Sequence, residues 1–396
     1  MDRLDYKSRA RTAFDRFRDD LLRASREIHA HPELAYEETR ACDLLCGVLE
    51  RAGVQVERGV ADIPTAFVAR VGTGRFHIAF CAEYDALPDI GHACGHNIIA
   101  TSSLGAGLAL AEVADDLDLT VSIIGTPAEE IGDGGGKILL LERGVFDTVH
   151  TSMMVHPGPL DVTMPPMLAC ASFDVHYRGV EAHASAFPQR GVNAADAMTI
   201  AQTAIALLRQ QMRGGDRVHG IVTHGGEAAN VIPGHTSARY IVRSKTFPHL
   251  EEIKAKVVRC FEAGAVGSGA ELEIRGGTRP YAHMQHATEL AALYQSNAES
   301  LGRVFPELGR ALERGAASTD MGNVSVQMPA IHPIISIDAN RSVPHQPEFA
   351  QYCVGHSADR AMADGALALA WTAIDVAADE GLRAEYERQL TVRLDT

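Results

Sequence analysis

Glu83, Asp85, His92, Cys94 and His96 fall in one stretch, EYDALPDIGHACGHNIIA, that closes an apolar run. Carboxylate, thiol and imidazole are the side chains that bind divalent metals, and here all three converge on one turn. Cys94-Gly95-His96 is too tight for the ligand pairs of a zinc finger, which leave two or more residues between ligands. It suits an open catalytic site, where the glycine lets both side chains turn toward one point. Two further apolar runs end in the same way: VSIIGTPAEE supplies Glu129 and Glu130, and SMMVHPG supplies His156.

Each of these signals alone has an ordinary explanation. A histidine at a strand end is more often structural or exposed, and a lone cysteine is more often a small core residue. Paired glutamates also suit a solvated helix start. Three such strand ends in one sheet point instead to a metal site. Adjacent carboxylates can then divide two jobs, one binding metal and the other taking a proton from water. Zinc can lower the pKa of water from about 15.7 to about 7, roughly 12 kcal/mol of hydroxide stabilisation. A general base contributes a further factor of about 10²–10⁴. GDGGGK, from Gly132 to Lys137, has a phosphate loop's composition, but its spacing is one short and Ile138 replaces the hydroxyl residue. Those glycines let the backbone pass close to the metal site. No G-x-S-x-G elbow occurs, so a serine hydrolase has no support.

Elements must bring these segments together. Phe14, Phe17, Leu21, Leu22 and Ile28 recur at helical spacing and predict a helix ending near His31-Pro32. A second helix is expected over 37–52, stopped by Gly53. TAFVARV, FHIAFCAEY, LTVSIIGTPAEE and TSMMVHPG read as buried strands separated by helical stretches, which predicts an α/β sheet with helices on both faces. The run from Ile98 to Val113 is too short and too polar for a membrane span and reads as a buried helix. From Met167 the order becomes β-α-β-β-α-β, the split ferredoxin-like unit, an α+β arrangement about 110 residues long. The chain then returns through ATELAALYQSNAESL, a strand AIHPIISID and one final long helix. The expected domains are 1–167 with 279–396, and an inserted 168–278.

Composition bounds the remaining possibilities. A chain of 396 residues favours two domains, and 46% hydrophobic with 22% charged content is that of a globular protein. A net charge of −15 argues against nucleic-acid and anionic-membrane partners and is compatible with a cationic substrate or metal. Seven scattered cysteines and a charged N-terminus without a signal segment imply a reducing, cytoplasmic setting.

In order along the chain, HAHPELAYEE, EYDALPDIGHACGHN, PAEE, AHASAFPQRGVNAADA, RVHGI, NVIP, STDMGNVS and HQPEFA together resemble the metal-dependent amidohydrolases of the aminoacylase and carboxypeptidase G family. The nearest branch holds p-aminobenzoyl-glutamate hydrolase subunits and β-alanyl-lysine-type dipeptidases. The resemblance implies a zinc-peptidase-like catalytic domain and an inserted lid and dimerisation domain. It implies two divalent ions, zinc or manganese, held by Cys94 as bridging ligand with His96, Glu130, His156 and His345. Glu129 would be the general base, and Asp85 would orient a ligating histidine. His183 matches a histidine that reaches the active site and stabilises the oxyanion, commonly from a neighbouring subunit. Asn230 resembles a substrate-contacting residue, and His219 is a matched position of uncertain role. Arg243 is a candidate for the substrate carboxylate, which its guanidinium fork matches in shape, or else a solvated strand residue. His92 is expected beside the ligands, with His332 and Asp320 lining the pocket. Asn97 and Glu83 depart from the Asp found in many relatives, which bears on subfamily more than on activity.

The sequence is thus expected to encode a hydrolase of small amides such as dipeptides, N-acyl amino acids or aryl-glutamates, forming a homodimer or higher homo-oligomer through the lid. The rival readings are hydrolysis of a non-peptidic C–N bond and a non-catalytic ligand-binding relative. The second would require loss of the base, and Glu129 is present.

Overall fold

The computed structural model describes residues 2–309 and 316–395. Helices α1 (Arg3–Ala30) and α2 (Thr39–Arg51) lead into strands β1 (Val56–Arg58), β2 (Phe67–Val71) and β3 (Phe76–Ala82). There follow α3 (His96–Leu110), β4 (Leu119–Gly125), α4 (Gly136–Glu142), β5 (Thr151–Met153) and β6 (His156–Gly158). The middle of the chain forms β7 (Ala169–Arg178), α5 (Ala194–Leu208), β8 (Arg217–His224), β9 (His235–Ser244), α6 (Phe247–Ser268) and β10 (Glu271–Gly276). The remainder forms α7 (Thr288–Ser300), α8 (Met321–Ser325), β11 (Ala330–Ile331), β12 (Ile334–Ser336), α9 (Pro347–Tyr352), α10 (His356–Ala377) and α11 (Glu380–Leu394).

Six strands make a mixed sheet in the order β1-β2-β4-β3-β5-β11. β4, β3, β5 and β11 run parallel, and β2 joins β4 antiparallel. The strand period of two explains why β3 is apolar throughout: alternate residues face opposite sides, and both sides are covered. Phe76, Ile78 and Phe80 join the core beneath α1, α3 and α10, while Ala79 and Cys81 join a second cluster with Leu140, Phe146 and Met321. Every residue of α3 is buried, as its all-round apolar composition requires.

The middle segment builds a separate antiparallel sheet, β10-β7-β9-β8, with its own core against α5 and α6. This is the ferredoxin-like order. Both helices begin on side-chain caps: Asn193 accepts the N–H of Ala195, and Thr246 accepts the N–H of His249.

Three expectations are corrected. TSMMVHPG is not one strand: β5 lies in the main sheet, while β6 pairs with β12 in a two-stranded ribbon of its own. AIHPIISID divides in the same place, into β11 and β12. Pro333 lies at the break and has no N–H to continue a ladder, so both partners leave the main sheet together. The final helix is two helices, α10 and α11, bent by 90°. Asp379 starts the second by accepting the N–H of Leu382, and an N-cap of that kind ends the preceding helix.

Candidate metal centre

The three parallel neighbours β4, β3 and β5 end at Gly125, Ala82 and Met153. The site lies beyond those carboxyl ends, where the loops of a parallel sheet gather. Glu83 and Asp85 follow β3 directly. Cys94 and His96 come from the turn that starts α3, and Gly95 between them has φ +77°, which a glycine adopts without strain. A Cβ there would also meet Pro157 Cγ at 2.5 Å, so no larger residue fits. Glu129 and Glu130 follow β4 after Ala128, itself at φ +60°. His156 opens β6. His345 arrives from the loop before α9 at φ +69°, with its N–H on the carbonyl of Ala93 at 2.9 Å.

Donor atoms of Cys94, His96 and His156 all lie within 4.8 Å of one another, as do those of Cys94, Glu130 and His345. Cys94 is common to both groups. A third group, Glu83, His96 and Glu129, overlaps the first at His96. The imidazoles are set to ligate through Nε2. His96 Nδ1 bonds Asp85 Oδ1 at 2.9 Å, and His156 Nδ1 bonds the carbonyl of Pro157 at 2.7 Å. Each ring then presents its other nitrogen to the cluster, the arrangement metal-binding histidines require. Asp85 is shared further, since its Oδ2 accepts the N–H of Glu130 at 2.9 Å.

The donor set fits divalent metal. His96 Nε2 and Glu130 Oε1 are buried without a hydrogen-bond partner, a costly state that a cation relieves. Glu83 Oε2, Glu130 Oε1 and Glu129 Oε2 stand 3.6, 3.7 and 4.0 Å from His96 Nε2. Burial opposes a charge on His96, yet Asp85, Glu83 and Glu130 outweigh it and raise the imidazole to about 10. The same field attracts any cation. Burial, then Glu130 and Glu129, push the Cys94 thiol well up, so a thiolate there needs a metal to hold it. Burial lowers His156 to about 4, leaving it neutral and free to ligate. Burial, then Glu83 and Glu130, push Glu129 well above the usual carboxylate range.

Sequence reasoning missed the supports of this cluster. Lys137, the last residue of GDGGGK, is fully buried, and its Nζ donates to Glu83 Oε1 at 2.6 Å and to Asp320 Oδ1 at 2.5 Å. Asp320 is therefore held by Lys137, which also gives it a backbone N–H at 3.0 Å. The glycines ahead of Lys137 pass against Asp320, Tyr281 and Pro127: a Cβ on Gly135 or Gly136 would come within 2.5 Å of Asp320 Oδ2 or 2.0 Å of Pro127 O. Glu38, buried in the segment before α2, accepts the N–H of Ala128 at 2.9 Å, and burial raises it to about 7. His92 stacks on His29 with ring centroids 6.1 Å apart, and His332 meets His156 edge-on at 5.4 Å.

The expected substrate residues divide. Arg243 on β9 is partly buried and donates to Ser318 Oγ at 2.6 Å, where the second sheet meets the segment before α8. His183 and Asn230 lie together on the second sheet's loops, the Ala184 N–H on the Asn230 carbonyl at 2.9 Å. His183 Nδ1 is occupied by the N–H groups of Ser185 and Ala186, so an Nε2–H faces outward. His219 is exposed on β8. Among the described residues, none of these three bonds to the metal cluster within the chain.

Residues 170–268 match the family described as a peptidase dimerisation domain, M20_dimer. The chain is 36% identical over 402 residues to the Xaa-Arg dipeptidase of Mus musculus, covering 97% of this chain and 93% of that protein. It is 30% identical over 310 residues to a p-aminobenzoyl-glutamate hydrolase subunit of Escherichia coli (strain K12), covering 71% and 64% of the two. Among solved structures, the Bacillus subtilis YXEP protein, a dinuclear metal binding peptidase from the M20 family, shares the fold with a TM-score of 0.66 at 22% identity, covering 91% of this chain and 99% of that one.

Proposed function

The chain belongs to the M20 family of metal-dependent amide hydrolases, and on that premise we propose that it is a dinuclear dipeptidase acting on Xaa-Arg dipeptides. The observation that carries the reading is Cys94, a donor common to two three-residue groups, with the buried Glu129 carboxyl beside them. The arginine preference rests on similarity to the Xaa-Arg dipeptidase along nearly the whole of both chains. The net charge of −15 suits a cationic substrate.

Cys94, His96 and His156 would hold one ion, and Cys94, Glu130 and His345 the other. Zinc and manganese both suit this N, O and S donor set. When bound, the ions supply Lewis acidity to the amide carbonyl and to water. Asp85 keeps His96 in the tautomer that offers Nε2. Glu129 takes a proton from water and delivers it to the leaving amine, the task its raised basicity suits. Arg243, steadied by Ser318, receives the substrate carboxylate, with Asn230 in a loop of the same sheet and His219 on its strand β8 as further substrate contacts. His183 donates its Nε2–H to the developing oxyanion. The site would then be completed by closure of the second sheet or by a second copy. Assembly as a homodimer through that sheet is supported by its edge strand β8, which leaves Ile221 and Val222 67% and 46% exposed.

The test is hydrolysis of a panel by zinc- or manganese-loaded protein beside Glu129→Gln. The panel comprises Xaa-Arg dipeptides, other dipeptides, p-aminobenzoyl-glutamate and N-acetyl amino acids. We expect metal-dependent cleavage of the Xaa-Arg members, with kcat falling about 10²–10⁴-fold in the variant at unchanged metal content. Metal binding without cleavage of any dipeptide would sink the dipeptidase reading. Undiminished turnover by Glu129→Gln would sink the role of the base.

A further inference from the structure

The turn that presents Glu129 is gripped by a side chain from outside both strands that frame the site. Tyr281 lies where the chain returns from the second sheet to the first, and there it pairs antiparallel with Cys170, where the chain enters the second sheet. The Tyr281 N–H donates to the Cys170 carbonyl at 2.8 Å, and the Cys170 N–H donates to the Tyr281 carbonyl at 3.0 Å. From this crossover the phenol, 2% exposed, reaches into the catalytic loop. Its hydroxyl donates to the Glu129 carbonyl at 2.6 Å and accepts the Gly132 N–H at 3.1 Å. The loop is shaped to receive it, since a Cβ on Gly135 would stand 2.7 Å from the phenol oxygen. Ala128, at φ +60°, precedes Glu129 in a backbone conformation that L residues avoid. The turn therefore depends on outside partners for its shape, and Tyr281 bonds the backbone carbonyl of the residue carrying the base.

We propose that Tyr281 is a positioning residue, through which the paired crossover segments fix where the Glu129 carboxyl sits. The inference rests on the reading of Glu129 as the base. Beside the crossover, further bonds tie the second sheet to the segment before α8. Leu168 donates its N–H to Ala317 O at 2.7 Å, and Arg243 reaches Ser318 one residue further on. Tyr281 thus bonds the catalytic loop at the junction where the candidate for the substrate carboxylate is also anchored. A shift of the second sheet about this junction moves Tyr281, and with it the Glu129 backbone. Closure of the two sheets around a substrate then aligns the base in the same movement.

The test compares Tyr281→Phe with wild type and with Glu129→Gln, all loaded with zinc, on an Xaa-Arg dipeptide. Tyr281→Phe keeps the ring and removes one oxygen. A displaced base should lower kcat about 10–100-fold, because small misplacements are costly at the chemical step. KM should stay within about twofold, because ground-state binding is untouched. Metal content should match wild type. A kcat near wild type for Tyr281→Phe, alongside a collapse for Glu129→Gln, overturns the inference and leaves the base reading intact. Undiminished activity in Glu129→Gln overturns both. Should the phenylalanine variant not fold, hydrogen exchange on the wild-type enzyme decides. The Gly132 amide must open together with the amides of Cys170 and Tyr281, and independent opening overturns the proposal.

Discussion

Lys137 illustrates how much of the centre depends on a single residue far from any ligand role. Its ammonium is fully buried between Glu83 and Asp320. Burial opposes its charge, but Asp320 and Glu83, then Glu129, hold it well above its ordinary value. Such a pair adds little beyond what apolar packing would give, yet removing one member leaves the others stranded, at a cost of about 3–5 kcal/mol. Lys137→Met should therefore destabilise the protein by about that amount in urea unfolding. The sign of its pH dependence follows. Without the ammonium, the Asp320 carboxyl, which burial already raises to about 6 against the pull of Lys137, rises further, so stability is retained at low pH and lost as pH rises. The deficit against wild type must widen as pH rises above about 6, where Asp320 of the wild type has ionised and that of the variant has not. A deficit that stays flat with pH would show that the carboxylates find another partner.

At the scale of elements, α3 determines where His96 sits, and α3 is wedged on both sides. A Cβ on Gly107 would fall 2.3 Å from Cγ1 and Cδ1 of Ile123 on β4. A Cβ on Gly105 would fall 2.9 Å from Ala366 on α10 and 3.0 Å from Phe14 on α1. Alanine gains about 1 kcal/mol over glycine in a helix interior. Overpacking a buried contact costs about 1–3 kcal/mol, and with two atoms of one buried isoleucine in the way the overpacking wins. Gly107→Ala should lower stability by up to about 2 kcal/mol in net. It should also weaken metal binding in a titration, since α3 can relieve the clash only by shifting its first residue, His96. Unchanged metal affinity would mean that Ile123 alone gives way. The same element explains what was legible beforehand. Glu129, Glu130 and His156 close apolar runs, and Cys94 and His96 sit in the metal-ligand-rich stretch after β3, so the strand period and its end reveal them. The supports do not obey any local period. Lys137 meets Glu83 across 54 residues, Glu38 meets Ala128 across 90, and Tyr281 meets Glu129 across 152. The break between β5 and β6 was hidden for a related reason, because the proline that forces it, Pro333, lies on the partner segment. The ferredoxin-like order was legible because its four strands and two helices are consecutive and carry their own turns and caps.

For the molecule as a whole, stability against acid follows from its buried neutral histidines, and His77 provides the test because it stands apart from the metal cluster. It lies on β3, 7% exposed, with Nε2 on Ser122 Oγ of β4 at 2.8 Å and Nδ1 on Thr148 Oγ1 at 3.1 Å. Its N–H donates to His150 Nδ1 at 2.9 Å, so three parts of the main sheet meet on one residue. Burial, then the charges of Arg70 and His150, lower it from 6.5 to about 4. A folded pKa below the unfolded one means that the unfolded chain takes up the proton first as the solution is acidified. The stabilisation from neutral His77 is therefore complete above about pH 6.5 and drains away as pH falls toward about 4, where both states are protonated. At about 1.36 kcal/mol per pH unit the loss is on the order of 3 kcal/mol, a sizeable fraction of a typical domain's stability. Urea unfolding of the metal-free protein between about pH 7 and about pH 4 should show this loss in wild type. His77→Gln should be less stable at neutral pH, because its amide cannot serve both hydroxyls. Its curve should fall less steeply on acidification, so that the two converge near about pH 4. Parallel curves would mean that His77 is protonated in the folded sheet and that the acid sensitivity of the molecule resides elsewhere.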